Sequence, residues 1–182
     1  MDEVYEDMVK LFEEANDYFI KDNKDLIESN VAERTLCGAL KECIDSVKCK
    51  TEYKNYSADV EYNRNKNGVV KTIIDNDFKV VRINCDLILH SRGKCVELDN
   101  LIAIEMKKSE RPQTEKASDR NRVIALTKNS YDGVWSFDGK TLPEYVCRYV
   151  LGVYYEINIA EKTGYLEYYR HGELVKNISF GI

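Results

Sequence analysis

The segment Leu101–Lys107, LIAIEMK, is an aliphatic run that ends in a Glu-x-Lys motif. Its composition predicts a half-buried strand, in which alternate side chains share a face. Glu105 and Lys107 then point to one side of the strand, and Ile104 and Met106 point to the other. Aliphatic strands seldom carry a carboxylate unless it is paired or binds a cation. The motif therefore indicates a site at the end of this strand.

A second acid, Asp86, lies on the preceding predicted strand, 82–90. One face of that strand carries four apolar residues: Ile83, Cys85, Leu87 and Leu89. Asp86 lies on the opposite face. The polar segment 91–94 contains Gly93 and predicts a turn. The two strands are then antiparallel neighbours, so Asp86 and Glu105 can face each other across the sheet.

A third acid, Glu33, lies on the predicted helix 31–47, VAERTLCGALKECIDSV. Glu33 precedes Leu36 by three residues and Cys37 by four, so it falls on the apolar stripe of the helix. An acid in the first turn also complements the helix dipole. Taken alone, the dipole explains Glu33 better than a functional site does.

The other segments complete the pattern of an α/β or α+β domain. Residues 3–29 predict one helix or two short ones, and Pro112 delays the last helix to Arg120–Lys128, with Thr114 or Ser118 as its cap. Further strands are predicted over 56–64, 69–74, 79–83, 131–137, 145–159, 165–170 and 174–178, with turns at Asn67-Gly68 and His171-Gly172. The order predicts a mixed central sheet flanked by helices, with an extra C-terminal β-hairpin.

Length and composition favour one folded domain. The 182 residues fit a single unit with an N-terminal helical extension (1–29), a motif-bearing core (31–128) and C-terminal strands (129–182). The 43% hydrophobic content suffices for a core and excludes a disordered chain. A net charge of -5 does not favour strong nucleic-acid binding, which would need a local basic surface and metal ions.

Cysteine usage and hydropathy indicate a location inside the cell. The six cysteines form no CxxC pair, and the two histidines are far apart, so a structural zinc site is not expected. Free thiols of this kind suit a reducing compartment. The sequence has no signal peptide and no apolar run approaching the ~20 residues that span a bilayer. We therefore expect a cytoplasmic protein without a membrane role.

The segment after the motif is the most basic part of the chain, although Glu110, Glu115 and Asp119 offset some of its charge. Such a run is more often a solvated face than a binding surface. Its position directly after the Glu-x-Lys pair makes four residues candidate nucleic-acid contacts: Lys108, Arg111, Lys116 and Arg120.

Together these features resemble the PD-(D/E)xK nuclease superfamily, whose members share a restriction-endonuclease-like fold. The resemblance covers about Glu33 to Thr127 and the strand that follows. It implies an α-β-β-β-α-β core that brings the acids to one edge of the sheet. Asp86 would be the family's Asp, Glu105 and Lys107 its (D/E)xK pair, and Glu33 its helix acid. Cys85 stands where many members have a proline.

The resemblance implies a metal-dependent nuclease that acts on DNA in preference to RNA. Asp86, Glu105 and the backbone carbonyl of Met106 would hold Mg²⁺ or Mn²⁺, with Glu33 binding directly or through water. The ion would polarise a phosphodiester oxygen and acidify a bound water. Lys107 would orient that water or stabilise charge in the transition state. Family members often dimerise, so a homodimer is left open.

Two other functions remain open from the sequence. The chain could be a catalytically inactive relative that binds a partner, or a structural domain in which Lys107 pairs with Asp86 or Glu105 for ~0–1 kcal/mol. Clustered carboxylates are costly without a cation, which favours the site.

Several other groups have an ordinary explanation beside a functional one. Asp59 and Glu61 are better explained as a solvated strand face, and Asp119 and Arg122 could support the site or be solvated. The tyrosines of the C-terminal strands could stack bases or pack within the sheet. They are Tyr149, Tyr154, Tyr155, Tyr165, Tyr168 and Tyr169.

Overall fold

The computed structural model describes residues 2–62, 72–74, 80–82, 85–129 and 147–182. The helices are α1 (Asp2–Asp22), α2 (Lys24–Glu28), α3 (Glu33–Lys48) and α4 (Gln113–Thr127), with a 3₁₀ turn at Glu52–Asn55. The strands are β1 (Ser57–Val60), β2 (Thr72–Ile74), β3 (Val80–Arg82), β4 (Leu87–His90), β5 (Asn100–Lys108), β6 (Leu151–Asn158), β7 (Thr163–Arg170) and β8 (Glu173–Gly181).

Six strands form one open mixed sheet in the order β1-β4-β5-β6-β7-β8, and β2 pairs with β3 separately. Every pair in the large sheet is antiparallel except β5 with β6. Parallel neighbours need a crossover connection, and α4 lies in that connection. The predicted mixed sheet flanked by helices and the C-terminal hairpin, with its turn at His171-Gly172, are confirmed.

The sheet carries helices on both faces. Alternate β6 residues, Leu151, Val153, Tyr155 and Ile157, join the core formed with α1 and α3. Phe12 and Phe19 of α1 meet the Tyr155 ring edge-on, with centroids 6.5 and 6.2 Å away. On the other face, Tyr154 of β6 packs with Val123 of α4. This alternation is what a strand buried on both faces requires.

The central strand β5 is buried along almost its whole length. Ile104 and Met106 belong to the core with α1 and α3, where the Cys37 thiol lies 3.8 Å from the Met106 sulfur. Glu105 and Lys107 face α4, whose Arg122 and Asp119 they contact. The predicted alternation of β5 is therefore confirmed.

The prediction for the start of α4 is wrong. The helix begins at Gln113 and not at Arg120, with Pro112 as its N-cap at φ -57°. Proline fixes a helix-compatible φ and lacks only an N–H that the first turn does not use, so it starts this helix instead of delaying it. Thr114 and Ser118 lie inside the helix and do not cap it.

Three predicted strands are too long, and the backbone gives the reason for two of them. β1 ends at Val60 because Glu61 has a φ of +51°, and β6 begins at Leu151, after Arg148 at +50°. Positive φ interrupts an extended chain and is uncommon outside glycine, so the sequence gives no sign of it. β4 begins at Leu87, so Asp86 immediately precedes the strand.

Other expectations have mixed outcomes. The N-terminal region forms two helices, one of the two alternatives left open. All six cysteines are free thiols. Within the described ranges, no helix is both long and apolar enough to cross a bilayer. The predicted strand 131–137 and the turn at Asn67-Gly68 lie outside the described residues.

Gly152 of β6 determines how closely α4 approaches the sheet. A Cβ at this position would lie 2.5 Å from Val123 Cγ1 and 2.7 Å from Thr127 Cγ2. Both atoms belong to α4, so any larger residue would push the helix away. Gly38 in α3 provides the contrast, because a Cβ there meets nothing within 4 Å.

We predict that Gly152→Ala lowers the free energy of unfolding by about 1–3 kcal/mol through overpacking beneath α4. The control Gly38→Ala should raise it by about 0.5–1 kcal/mol, since alanine is the better helix former and has room. Urea unfolding followed by circular dichroism measures both. Equal effects of the two substitutions would contradict the close packing of α4 on Gly152.

Candidate active site

Asp86 is fixed at the start of β4 by bonds to two neighbouring segments. Its carbonyl accepts from the Glu61 N–H at 3.1 Å, just past the end of β1. Its carboxylate Oδ2 accepts from the Met106 N–H at 2.9 Å. Burial, with the nearby charge of Asp119, raises the pKa of Asp86, although the Met106 N–H and Lys107 oppose this. The side chain is thus held against β5, beside the Glu-x-Lys motif.

Glu105 is a deeply buried acid, with 1% of its surface exposed. Its Oε2 lies 2.7 Å from Arg122 Nη1, an ion pair whose angles do not form a regular hydrogen bond. No described residue makes a hydrogen bond to Oε1. Burial and the adjacent Asp86 raise the pKa of Glu105 well above its usual value, and Arg122 only partly opposes this. Glu105 is therefore an acid whose oxygens are incompletely satisfied.

Lys107 lies between acids from the two helices that flank β5. Its Nζ is 2.9 Å from Asp119 Oδ2 on α4 and 3.8 Å from Glu33 Oε2 on α3. Burial lowers the pKa of Lys107, but Asp119 and Glu33 more than offset that effect, and the net shift is upward. The ammonium group consequently stays charged.

Glu33 is the first residue of α3 and reaches the end of β5. Its Oε1 accepts from the Lys108 backbone N–H at 3.0 Å and from Arg111 Nε at 3.1 Å. Only 17% of its side chain is exposed. The position in the first turn also suits the helix dipole, so the dipole explanation of Glu33 is compatible with its contacts to the end of β5.

The structure thus brings together the four residues that the sequence singled out, and α4 adds two more. Asp119 and Arg122 are one helical turn apart and contact each other at 3.2 Å. Asp119 holds Lys107 and Arg122 holds Glu105, so neither is a solvated helix residue. Their i, i+3 spacing was visible in the sequence, but their partners were not.

The residues present fit an oxygen-preferring divalent cation. Four carboxylates, from Glu33, Asp86, Glu105 and Asp119, are paired with three cations, the partly buried Lys107 and Arg122 and the half-exposed Arg111, so carboxylates outnumber cations by one. The buried Glu105 Oε1 has no hydrogen-bond partner among the described residues. The N–H and C=O of a strand residue face the same neighbour, so the Met106 carbonyl lies on the Asp86 side of β5. Mg²⁺ and Mn²⁺ prefer such ligands.

These residues do not form a closed cage. In the part of the chain that the structure describes, no group of three or more acids, histidines or cysteines is arranged to hold a metal. The short contact between Arg122 and Glu105 instead occupies one edge of the carboxylate pair.

The four predicted nucleic-acid contacts divide into two pairs. Lys108 and Lys116 are buried, with their ammonium groups bonded to Asn30 and to Glu156. Arg111 is half-exposed at the rim, where it pairs with Glu33.

Arg120 is the other predicted contact that is not buried. It is partly exposed and lies on a different side of α4 from the residues that contact Glu105 and Lys107. It covers the Tyr154 ring at 4.0 Å, and its Nε donates to Glu167 Oε2 at 2.8 Å. Of the two exposed or partly exposed contacts, Arg111 is therefore the one that is bonded to an acid of the site, Glu33.

The tyrosines of the C-terminal strands are mainly packing residues. Five of the six are buried, and Tyr165 is partly exposed. Tyr154, Tyr155 and Tyr168 are among the largest fully buried side chains. Their ring faces are thus occupied within the protein, which favours packing over base stacking.

Asp59 is not the solvated strand residue that we expected. It accepts from His90 Nε2 at 2.9 Å and Arg92 Nε at 2.8 Å, and its side chain is 16% exposed. Burial alone would raise its pKa, but the hydrogen bonds from Arg92 and His90 lower the pKa of Asp59 overall. Glu61 lies beyond the end of β1 and pairs with the exposed Arg34 at 3.3 Å. These contacts stabilise the β1–β4 edge, next to Asp86.

Comparison with known proteins gives no relative: no family model, curated protein or solved structure matches this chain.

We predict that Arg92→Ala destabilises the protein at neutral pH by about 0.5–1 kcal/mol, as expected for a partly exposed ion pair. Asp59 has a lowered pKa in the folded state, so its contribution is present above the unfolded pKa and is lost as pH falls through the folded value. The difference between wild type and variant should therefore shrink below about pH 4. Urea unfolding at pH 7 and pH 3 tests this.

Lys94→Ala, in the same loop, is the matched control, because Lys94 is exposed. It should change stability little at either pH. A loss of stability in Arg92→Ala that is equal at pH 7 and pH 3 would contradict the role assigned to Asp59.

Proposed function

We propose that this chain is a nuclease of the PD-(D/E)xK type that uses Mg²⁺ or Mn²⁺ to hydrolyse phosphodiester bonds. The observation that carries the proposal is the buried Glu105, whose Oε1 has no hydrogen-bond partner among the described residues. It lies beside Asp86 and on the same face of β5 as the charged Lys107. Arg122 contacts the other oxygen, Oε2, so Oε1 remains a buried acceptor that a divalent cation could use.

The topology supports the same proposal. Helix α3 is followed along the chain by three strands of the large sheet, β1, β4 and β5, in which neighbours are antiparallel. Helix α4 comes next, and then β6, which is parallel to β5. This is the α-β-β-β-α-β order that the sequence resemblance implies, with the β2–β3 pair inserted and the β7–β8 hairpin added. The restriction-endonuclease-like fold is therefore part of the proposal.

Each residue has a distinct role in the proposed reaction. Asp86, Glu105 and the Met106 carbonyl would hold the cation, with Glu33 binding it directly or through water. When bound, the cation supplies charge that polarises a phosphodiester oxygen and acidifies a water. Lys107, fixed by Asp119 and Glu33, donates hydrogen bonds to a water or phosphate oxygen in front of β5 and stabilises developing negative charge.

A nucleic acid is the proposed substrate, DNA in preference to RNA, and local positive charge supports the binding of phosphates of either kind. The chain between Tyr62 and Cys85 contains five basic and two acidic residues, whereas the whole protein has a net charge of -5. In the sequence, this basic stretch ends two residues before Asp86. Arg111 adds a half-exposed guanidinium at the rim. Phosphate contacts need such local positive charge.

A catalytically inactive binding protein is the second candidate. It is favoured by the ion pairs of the site, because Lys107, Arg111 and Arg122 each already contact a carboxylate. Cation binding without cleavage would distinguish it from the nuclease.

We predict that Asp86→Asn abolishes cleavage of plasmid or single-stranded DNA in Mg²⁺ or Mn²⁺ while leaving the fold intact. Asparagine keeps an oxygen for the Met106 N–H and removes one of the crowded negative charges, so stability without metal should be unchanged or higher. In wild type, a bound cation at a hundredfold excess over Kd should add about 2.7 kcal/mol of stability. Asp86→Asn should lose that gain.

Lys107→Ala should reduce cleavage by about a hundredfold or more, since the residue acts on the transition state. The matched control is Glu110→Gln, because Glu110 is an exposed acid beyond the end of β5; it should retain activity and the thermal shift. An absence of both cleavage and metal-dependent stabilisation in wild type would refute the nuclease proposal. Stabilisation without cleavage of DNA or RNA would favour the binding protein.

A further inference from the structure

Arg122 occupies the carboxylate that the proposed cation would use. Its Nη1 lies 2.7 Å from Glu105 Oε2 and 3.2 Å from Asp119 Oδ1. Glu105 is 1% exposed, and its other oxygen is a buried acceptor without a partner among the described residues. The guanidinium is therefore the positive group in direct contact with the most buried acid of the site.

A guanidinium and a divalent cation on the same carboxylate would be close neighbours. A carboxylate is only a few ångströms across, so two cations on its two edges repel strongly where the surroundings are shielded from water. The carboxylate can bind the divalent cation only if the guanidinium moves away. Binding of the cation and the contact between Arg122 and Glu105 are thus in competition.

The Arg122 guanidinium has two alternative surroundings, Asp119 and water, when its contact with Glu105 breaks. Its second partner, Asp119, lies one helical turn earlier on the same helix and contacts the same Nη1 atom. The Arg122 side chain is 24% exposed, so it can also reach water. Neither move requires a change in the backbone of α4.

We propose that Arg122 is an internal counter-ion that neutralises Glu105 in the cation-free protein and that a divalent cation must displace from it. The inference rests on the proposed function, because it concerns the same carboxylates. It assigns Arg122 a regulatory role: it sets the cation concentration at which the site loads. Part of the intrinsic affinity of the carboxylates is used to break the Arg122 contact.

The test compares Arg122→Gln with wild type by calorimetric titration with Mn²⁺ and Mg²⁺ and by thermal unfolding with and without each ion. Removing the competing charge should tighten cation binding by about tenfold or more. The same variant should melt at a lower temperature without the ion, because Glu105 loses its partner, and should gain more from added ion than wild type does. None of these readouts depends on catalysis.

Arg120→Gln is the matched control. Arg120 is on the same helix, has a similar exposure of 27%, and also contacts a buried acid, Glu167. Its loss should lower stability but leave the cation Kd unchanged. Arg122→Lys is a second variant that retains the charge, and it should bind the cation within a few-fold of wild type while Arg122→Gln binds more tightly.

The outcomes separate this inference from the proposed function. If wild type binds the cation and Arg122→Gln binds equally or more weakly, Arg122 is not a competitor, and the proposed function stands. If neither protein binds, the proposed function and the inference both fail. If Arg122→Gln binds and wild type does not, the inference is supported in its strongest form.

Discussion

The burial of a carboxylate in the middle of the sheet is the constraint on which the rest of the site depends. Glu105 is 1% exposed and lies in β5, which has a neighbouring strand on each side. A charged group in that position needs compensation from groups that are equally shielded from water. Within the sheet, Lys107 is held by Asp119 and Glu33, and the Met106 N–H is already used by Asp86. Compensation must therefore come from the layer above, which is α4.

The topology of the sheet places α4 in that layer. Because β5 and β6 run parallel, the chain between them must cross the sheet, and α4 lies in this crossover. Gly152 leaves room beneath Val123 and Thr127, so the helix can pack close to the strands. At that distance Asp119 reaches Lys107, and Arg122 reaches Glu105. One glycine and one parallel strand pair thus set the electrostatics of the site.

The sequence predicts the strand and its acids better than it predicts their partners. The alternation of β5 is a local pattern of period two, and it correctly places Glu105 and Lys107 on one face. The partners of a charged residue are a tertiary property. Lys116 appears in the sequence as one more cation of a basic run, yet it is buried and bonded to Glu156, forty residues away.

Strand ends are unpredictable for a different reason. Glu61 and Arg148 adopt positive φ although neither is glycine, and their residue types do not predict this conformation. Asp86 was expected within β4 and is found immediately before it, and no positive φ in the described residues accounts for this shorter strand. The Met106 N–H nevertheless fixes the Asp86 carboxylate beside β5, as the proposed role of Asp86 requires.

The ion pairs of the site explain how folding and cation loading can be separate events. A cluster of acids without counter-charges would make folding depend on metal. Like charges at such short distances destabilise the folded state. Here Lys107 and Arg122 already neutralise part of the cluster. The chain can therefore fold before it meets a divalent ion. The proposed site would therefore give up some cation affinity for independence from the cation, since every counter-charge that stabilises the empty state would compete with cation binding.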